Sequence, residues 1–403
     1  MAGPKSVKKM ENLVLLTAEE AALRYRSLQQ LMREDGMGSI LLSDNANILA
    51  LTGRVYAGYA WIPAEGEPVW FVRRPVELDG ENVVYIHKPE EIPAHLAEMS
   101  MPVAGTVGLE LDVTAYTTVE RLKKLFPDNA IGNASPALRR WRAVKTPLQA
   151  ELMRRSGVKH AEVYKRVPGL YRTGMTDLEL QVEIERLSRL EGCLGVFRIS
   201  GPSMELFMGN VISGRNADAP TPYDFAMGGA GLDPSLPVGA DGSEIMDHTS
   251  VMVDLNGNFT GYMTDMTRVF AAGSLSQEAM DAHQCSIDIC HAFQKAARPG
   301  VEARELYSLA EKMVQQRGLE RYFMGHRQHA GFVGHGIGIE INELPVIAPR
   351  SRDVLQAGNT VALEPKFVIP GVGAVGIENT YLIREGAEAE CLTVCPEEIV
   401  SLL

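Results

Sequence analysis

The chain has 403 residues, a formal net charge of −12 and a composition close to the average for globular proteins. This length predicts two domains, and the acidic balance argues against nonspecific binding to nucleic acid or anionic membranes. No apolar run is long enough to span a bilayer, and Leu13 to Leu16 is too short for a signal peptide, so we expect a cytoplasmic protein. Five cysteines, sparse and odd in number, argue against a disulfide framework.

Residues 18 to about 140 alternate a helical pattern with short apolar segments. A helix is predicted over residues 18–34, because Thr17 can cap it and Glu20 stands where a capping box needs it. Three apolar segments are typical of buried strands, namely Ser39–Leu42, Pro68–Val72 and Val83–Ile86. We therefore predict a small α/β domain over residues 1–140.

A second domain is predicted over residues 141–403, and its pattern occurs twice. Thr146 and Gln149 form a capping box around Pro147, which begins a helix. Two helices followed by several strands, twice over, indicate an internal duplication of architecture without a residue-level repeat. The predicted order is a pair of helices from Thr146 and Thr176, strand-rich sequence to Phe270, helices over 277–297 and 302–316, and strands from about His335 onward.

Five residues of the second domain favour metal binding. His335 lies between glycines in Gly334-His335-Gly336, where neighbours cannot crowd its ring. Asp254, Asp265, Glu364 and Glu378 each lie in an apolar, strand-like run, where a carboxylate is costly to bury unless a cation meets it. Singly, each has an ordinary interpretation as a cap, a turn, an exposed strand residue or a structural histidine. Together, carboxylates and one imidazole suit manganese, cobalt, iron or zinc.

The sequence leaves open how the two aspartates meet. A tight hairpin turning at Asn256-Gly257 would pair Asp254 with a residue near Phe259, and not with Asp265. A bulge or a further strand would be needed to bring the two side chains together.

With these residues in this order, the sequence resembles the creatinase, prolidase and aminopeptidase P family, the pita-bread metallopeptidases, over nearly the whole chain. The resemblance implies an α/β (α+β) fold, with a small creatinase-like domain over 1–140 and a pita-bread catalytic domain with internal pseudo-twofold duplication over 141–403. It also implies a homodimer and two divalent metal ions. The ligands that it implies are Asp254, Asp265, His335, Glu364 and Glu378.

The resemblance implies a dimetal hydrolase whose metal-bridging water attacks a peptide bond next to proline, as in an Xaa-Pro dipeptidase or aminopeptidase. Glu364 is the predicted base or proton shuttle, and His335 and Asn342 are predicted members of the same catalytic centre. Asn342 stands where family peptidases usually have a histidine, and an asparagine can donate a hydrogen bond but cannot transfer a proton. Asn342, Tyr223 and His329 are the predicted substrate contacts.

Two further departures from the family pattern bear on substrate. The histidine that family peptidases carry in the interval before Asp254 is missing, and His326 or His329 is a candidate replacement. Gly376 stands where the peptidases have an arginine. Two alternatives therefore stay open: a creatinase-like hydrolase or lyase acting on a small non-peptide substrate, and a non-catalytic pita-bread binding protein. The expected partner is a short peptide or another small amide, and neither nucleic acid nor a membrane.

Overall fold

The computed structural model describes residues 11–201, 206–225 and 228–403. The chain forms two compact units that divide between Arg142 and Ala143. No helix in the described ranges is both long and apolar enough to cross a membrane.

The first unit is a mixed sheet with helices. Its helices are α1 Ala18–Glu34, α2 Asn45–Thr52, α3 Ile92–Glu98, α4 Tyr116–Lys123 and α5 Ser135–Ala143, and its strands are β1 Glu11–Asn12, β2 Met37–Leu42, β3 Ala57–Pro63, β4 Val69–Arg74, β5 Leu78–Asp79, β6 Val83–Tyr85, β7 Thr106–Leu109 and β8 Ile131–Asn133. Six strands form one sheet in the order β6-β4-β3-β2-β7-β8. Thr17 caps α1 by accepting the N–H of Glu20 at 3.2 Å, which confirms the predicted helix start. The small α/β unit predicted from the sequence is confirmed.

In the described residues, the second unit has two helix pairs and three sheets. Its helices are α6 Pro147–Tyr164, α7 Asp177–Leu190, α8 Gln277–Ala296 and α9 Ala303–Gln315, and its strands are β9 Gly209–Ser213, β10 Thr249–Asn258, β11 Met263–Ala272, β12 Gly334–Gly336, β13 Glu343–Ile347, β14 Thr360–Leu363, β15 Lys366–Ile369, β16 Gly373–Gly376, β17 Asn379–Leu382, β18 Glu390–Cys391 and β19 Val400–Ser401. The strand orders are β19-β11-β10-β9, β13-β12-β14-β17-β18 and the hairpin β15-β16.

The helix-and-sheet plan of this unit occurs twice. Helices α6 and α7 pack against the sheet of β9, β10 and β11, and helices α8 and α9 pack against β13, β15 and β16. The predicted capping box at Thr146 forms, and the predicted helix start at Thr176 is also a capping box, with Glu179. The duplicated architecture predicted for a pita-bread domain is therefore confirmed.

The prediction of strand-rich sequence up to Phe270 was wrong for part of that range. Among the described residues of 193–248, β9 is the one strand. The other strand-like pairings there are isolated bridges, and irregular loops make up most of the rest. The segment is rich in glycine and proline, and a proline cannot donate a hydrogen bond to a strand ladder.

Buried polar contacts join the two halves of this unit. Arg268 on β11 is 2% exposed, and its guanidinium donates to the carbonyl oxygen of Glu378 at 2.9 Å and to Oδ1 of Asn379 at 2.8 Å. Thr267 and Glu378 also form an antiparallel backbone bridge. These contacts hold β11 of the first half beside β17 of the second, with Asp265 and Glu378 close to the join.

Candidate metal centre

The two aspartates lie on one face of the β10–β11 hairpin. The strands continue past Asn256-Gly257, so that Asp254 pairs with Thr267 and Asn256 pairs with Asp265. The chain does not turn at Asn256-Gly257, because β10 extends to Asn258 before the chain reverses. Residues that face each other across a ladder share a side, as do residues two apart along a strand. Asp254 and Asp265 are thus diagonal neighbours on one face, and the hairpin alone brings them together.

His335 is placed by strands on both sides of it. On β12 it pairs with Val346 of β13 and with Ala362 of β14, and the register shifts between His335 and Gly336. A Cβ on Gly336 would lie 2.1 Å from the carbonyl oxygen of Leu344, so a larger residue has no room there. Nδ1 of His335 lies 3.1 Å from the carbonyl oxygen of Gly336. That contact leaves Nε2 directed toward the carboxylates.

The two glutamates lie at strand ends that meet beside the aspartates. Glu364 directly follows β14, and Glu378 directly precedes β17. Oε1 of Glu364 is 3.4 Å from Nε2 of His335, and Oε2 of Glu378 accepts the hydroxyl of Thr267 at 2.9 Å. These residues form two groups of donor atoms. Within each group, all the donor atoms lie within 4.8 Å of one another. Group one is Asp265, His335 and Glu378, and group two is Asp254, Glu364 and Glu378.

Lys366 also lies in this centre, which the sequence analysis missed. Its Nζ is 2.7 Å from Oδ2 of Asp254, 2.7 Å from Oε2 of Glu364 and 3.2 Å from Oε2 of Glu378. The sequence did contain a signal for this position. Lys366 begins an apolar, strand-like run, and because it lies two residues after Glu364, both side chains are expected on the same side of a strand. A buried ammonium in such a run needs acidic partners.

Charge is unevenly compensated across the centre. Burial alone would raise the pKa of Glu364, but the Lys366 ammonium and His335 outweigh it and lower that pKa below its usual value. Burial and the charge of Glu364 raise the pKa of Glu378 to about 8. Burial and the neighbouring carboxylates raise the pKa of Asp265 well above its usual range. The pKa values of Asp265 and Glu378 stay raised although Lys366 lowers both, so the positive charge near these carboxylates is less than they need, which favours a cation there.

A cavity of about 240 Å³ opens onto the centre. Asp254, Asp265, His335 and Glu364 lie in its wall. The apolar part of the wall includes Phe197, Ile199, Phe332, Ile341 and Val346. Such a mixture of apolar surface with a few converging polar groups is typical of a site for a small ligand.

Two of the three asparagines among the described wall residues differ in what they contact. The amide of Asn342 is engaged with the backbone of Ser200, because its Oδ1 accepts the N–H at 2.7 Å and its Nδ2 donates to the carbonyl oxygen at 2.7 Å. Asn256 is 3% exposed, and both polar atoms of its amide have no hydrogen-bond partner among the described residues. Asn342 was predicted from the sequence as a site residue and Asn256 was not, although Asn256 lies two residues from Asp254 and on the same face of β10.

Tyr223 and His329 lie outside the wall of this cavity. Both line a smaller neighbouring hollow, which also contains His326. Tyr223 stacks on Phe225 with ring centroids 5.2 Å apart, and Nδ1 of His329 lies 2.8 Å from the carbonyl oxygen of Phe323. His326 pairs with Asp218 at 3.0 Å. The structure thus gives these residues local partners and does not place them among the described wall residues of the cavity.

The fold and this donor set define a metallopeptidase of the pita-bread type. Residues 151–385 match Metallopeptidase family M24, and residues 24–144 match the Creatinase/Prolidase N-terminal domain. The chain belongs to metallopeptidase family M24, and it is a peptidase-like hydrolase by that membership. The predicted resemblance is confirmed.

Individual relatives extend over almost the whole chain. The Xaa-Pro dipeptidase of Pyrococcus furiosus is 23% identical over 384 residues, which are 94% of this chain and 99% of that protein. The uncharacterized peptidase YqhT of Bacillus subtilis is 23% identical over 390 residues, which are 94% of this chain and all of that protein. The solved structure of an Xaa-Pro dipeptidase from Bacillus anthracis has a TM-score of 0.76 at 22% identity, covering 94% of this chain and 99% of that one.

Family membership implies a divalent metal cofactor, and the structure tests whether the residues fit one. Asp265, His335 and Glu378 offer oxygen and imidazole donors that suit a transition metal. Oε1 of Glu378 is buried and has no hydrogen-bond partner among the described residues, as expected of an oxygen reserved for a cation. This group fits an ion. The other group differs, because the ammonium of Lys366 already contacts all three of its carboxylates.

Proposed function

We propose that this chain is a metal-dependent hydrolase that cleaves an amide bond in a small substrate, and that Xaa-Pro dipeptides are its first candidate substrates. The observation that carries this proposal is that Asp265, His335 and Glu364 meet in the wall of one cavity of about 240 Å³. The similarity to an Xaa-Pro dipeptidase along 94% of the chain supports a peptide substrate. The volume supports a small one, since larger organic ligands occupy sites of roughly 300 to 1,000 Å³.

Glu364 is the residue best placed to move a proton. When bound, a divalent ion polarises the carbonyl of the substrate and makes water a stronger nucleophile. Glu364 lines the cavity, and its lowered pKa keeps the carboxylate ionised at neutral pH. An ionised carboxylate can accept the proton of an attacking water and return it to the leaving amine. Lys366 fixes Oε2 of Glu364 at 2.7 Å, which leaves Oε1 on the side of His335.

The remaining wall residues supply substrate binding. Phe197, Phe332 and Val346 give an apolar surface that suits an aliphatic or proline ring. Asn256 supplies an amide with a free donor and a free acceptor. Asn342 holds residue Ser200 at the wall through two hydrogen bonds. In this proposal Asn256 orients the substrate and Asn342 shapes the wall, so that Asn342 takes no part in proton transfer.

One observation favours a second candidate function, hydrolysis or elimination on a small non-peptide substrate. Among the described wall residues, His335 is the one basic side chain, so no other cation there meets the carboxylate of a dipeptide. The wall also carries Asp224 besides the carboxylates of the metal centre. A cationic substrate with an amidino or sulfonium group would match this charge.

A substrate panel with matched variants tests the proposal. Protein loaded with manganese or cobalt is assayed on Xaa-Pro dipeptides, their C-terminal amides, and small amidino, ureido and sulfonium compounds. We expect turnover that falls at least about a hundredfold in Glu364→Gln, since general-base catalysis contributes on the order of 10²–10⁴. Glu385→Gln on an exposed turn is the control and should retain activity. Absence of turnover across the panel in folded, metal-loaded protein would reject the proposed function.

Finer properties follow from the family resemblance. We propose manganese, cobalt, iron or zinc as the working metal, a cytoplasmic location, and a homodimer. Elemental analysis of protein purified without added metal identifies the ion. Light scattering during size-exclusion chromatography measures the mass, which a homodimer would double from the 44.0 kDa of one chain. The resemblance predicts two ions, and the position of Lys366 bears on the second.

A further inference from the structure

We infer that the ammonium of Lys366 takes the place of one of the two metal ions, so that this chain binds a single divalent ion at Asp265, His335 and Glu378. The inference rests on the proposed function only for the existence of a metal centre. It concerns how many ions that centre holds and which residues hold them.

The ammonium of Lys366 is fully satisfied where it lies. It has three N–H donors, and three carboxylates accept them at 2.7, 2.7 and 3.2 Å. Its side chain is 0% exposed. Moving the ammonium elsewhere would require another set of acceptors in the interior, because a buried cation without partners is strongly unfavourable. Lys366 is thus a stable occupant of this group of carboxylates.

The backbone of Lys366 is held in position as firmly as the ammonium. Lys366 begins β15 and pairs with Gly376 at the end of β16. Gly376 has φ of 122°, and a Cβ there would lie 2.6 Å from the carbonyl oxygen of Pro365. The N–H of Gly376 lies 3.1 Å from Nδ1 of His283 on α8. This close fit directs the lysine stem toward Asp254 and Glu364.

The ammonium of Lys366 occupies the point at which the oxygens of the second group converge. Transition metals bind carboxylate oxygens at about 2.0–2.2 Å. An ion at the point where the oxygens of all three carboxylates converge would overlap Nζ, which lies 2.7 Å from those of Asp254 and Glu364 and 3.2 Å from that of Glu378. Two cations at that separation also repel strongly in a buried site. The structure therefore offers these oxygens to one cation, and that cation is the ammonium.

The other group of donors stays available. Lys366 contacts Oε2 of Glu378 and leaves Oε1 of the same carboxylate buried without a hydrogen-bond partner among the described residues. Asp265 is not among the carboxylates that Lys366 contacts. One divalent ion together with one ammonium brings four carboxylates to within one charge of neutrality. A second divalent ion is not needed for charge balance.

Metal stoichiometry of the full-length protein tests this inference without reference to activity. Wild type, Lys366→Gly and the surface control Lys159→Gly are dialysed against excess manganese, and bound metal is measured per chain by elemental analysis. We expect one ion in wild type and in the control, and two in Lys366→Gly. Electron paramagnetic resonance gives an independent readout, with an isolated manganese signal in wild type and a spin-coupled pair in Lys366→Gly.

Two ions in wild type would overturn the inference, and Lys366 would then be a neighbour of a two-ion centre. No ion in wild type would overturn it as well. One ion in both wild type and Lys366→Gly would also count against it, provided that circular dichroism shows the variant folded; if it is unfolded, Lys366→Ala takes its place. One ion without turnover would reject the proposed function alone, and two ions with turnover would reject this inference alone.

Discussion

Lys366 and Gly376 face each other across the β15–β16 hairpin, in a register that places the lysine ammonium among three carboxylates. Gly376 is also the position at which the family resemblance leads one to expect an arginine. The cation beside Asp254 comes from Lys366, on the strand opposite Gly376. The absence of a side chain at Gly376 allows the two strands to approach closely enough for this arrangement.

Gly376→Ala should destabilise the protein more than Gly371→Ala. Both glycines have positive φ, at 122° and 82°, but only the Cβ at Gly376 meets backbone, 2.6 Å from the carbonyl oxygen of Pro365. We expect an additional loss of about 1–3 kcal/mol in the free energy of unfolding for Gly376→Ala. Denaturant unfolding of both variants measures it, and equal losses would contradict the close approach.

Lys145→Met should cost about 3–5 kcal/mol in the free energy of unfolding, since it removes the cation from a buried ion pair. Nζ of Lys145 is 2.7 Å from Oε2 of Glu343, with side chains 1% and 2% exposed. Oε1 of Glu343 also accepts the N–H of Ile339 and of Glu340 at 3.2 Å each, and so supports the loop after His335.

Lys159→Met is the matched control for that variant, because Lys159 pairs with Glu162 on the exposed surface of α6. An exposed ion pair contributes little, so we expect almost no change in unfolding. Similar losses in Lys145→Met and Lys159→Met would show that the buried pair does not support the fold.

Asn256→Ala should raise KM without lowering stability. The buried amide of Asn256 has no hydrogen-bond partner among the described residues, so its removal costs the folded protein no hydrogen bond. A bound substrate, by contrast, loses a hydrogen bond. We expect KM to rise roughly tenfold on whichever substrate of the panel is turned over. Chemical denaturation and steady-state kinetics on one preparation measure both quantities.

Asn258→Ala provides the contrast, because Oδ1 of Asn258 accepts the N–H of Gly261 at 3.0 Å and Nδ2 donates to the carbonyl oxygen of Val196 at 3.1 Å. This variant should lose about 1–3 kcal/mol in the free energy of unfolding. An unchanged KM in Asn256→Ala would remove Asn256 from the substrate site.

Stability should fall on acidification partly because of His160. Burial, with a smaller effect of Arg268, lowers the pKa of His160 to about 3. In the unfolded chain the pKa is near 6.5. As the pH drops from about 6.5 toward 3, His160 binds a proton in the unfolded state but not in the folded state. This difference lowers the free energy of unfolding by about 1.4 kcal/mol per pH unit.

The slope of unfolding free energy against pH measures this effect. We compare metal-free wild type with His160→Gln between pH 7 and 5, and we expect a shallower slope in the variant. Parallel slopes would mean that His160 does not contribute in this range.

The local signals in the sequence predicted much of the fold. Thr17, Thr146 and Thr176 cap helices where their patterns indicated. The hairpin of Asp254 and Asp265 was harder, because Asn256-Gly257 has the composition of a tight turn but lies inside β10. Its conformation is set by tertiary contacts, and a Cβ on Gly257 would lie 2.5 Å from the ring of His160.

The metal-binding residues could be predicted from their order along the chain, which resembles the family, and from the strand-like runs around them. The other contacts of the centre could not. His335 and the four carboxylates lie close together in two overlapping groups of donor atoms. The bonds of Lys366 depend on how β15 pairs with β16 and on the approach of Asp254 from the other half of the unit. Such long-range contacts leave no local pattern, and so neither the occupant of the second donor group nor the free amide of Asn256 was identified from the sequence.

Anomalous diffraction from crystals grown with manganese tests the central claim most directly. The account predicts one anomalous peak per chain, bonded to Asp265, His335 and Glu378, with Nζ of Lys366 still between Asp254 and Glu364. No peak at these residues, or a second peak bonded to Asp254 and Glu364 with Lys366 displaced, would contradict it.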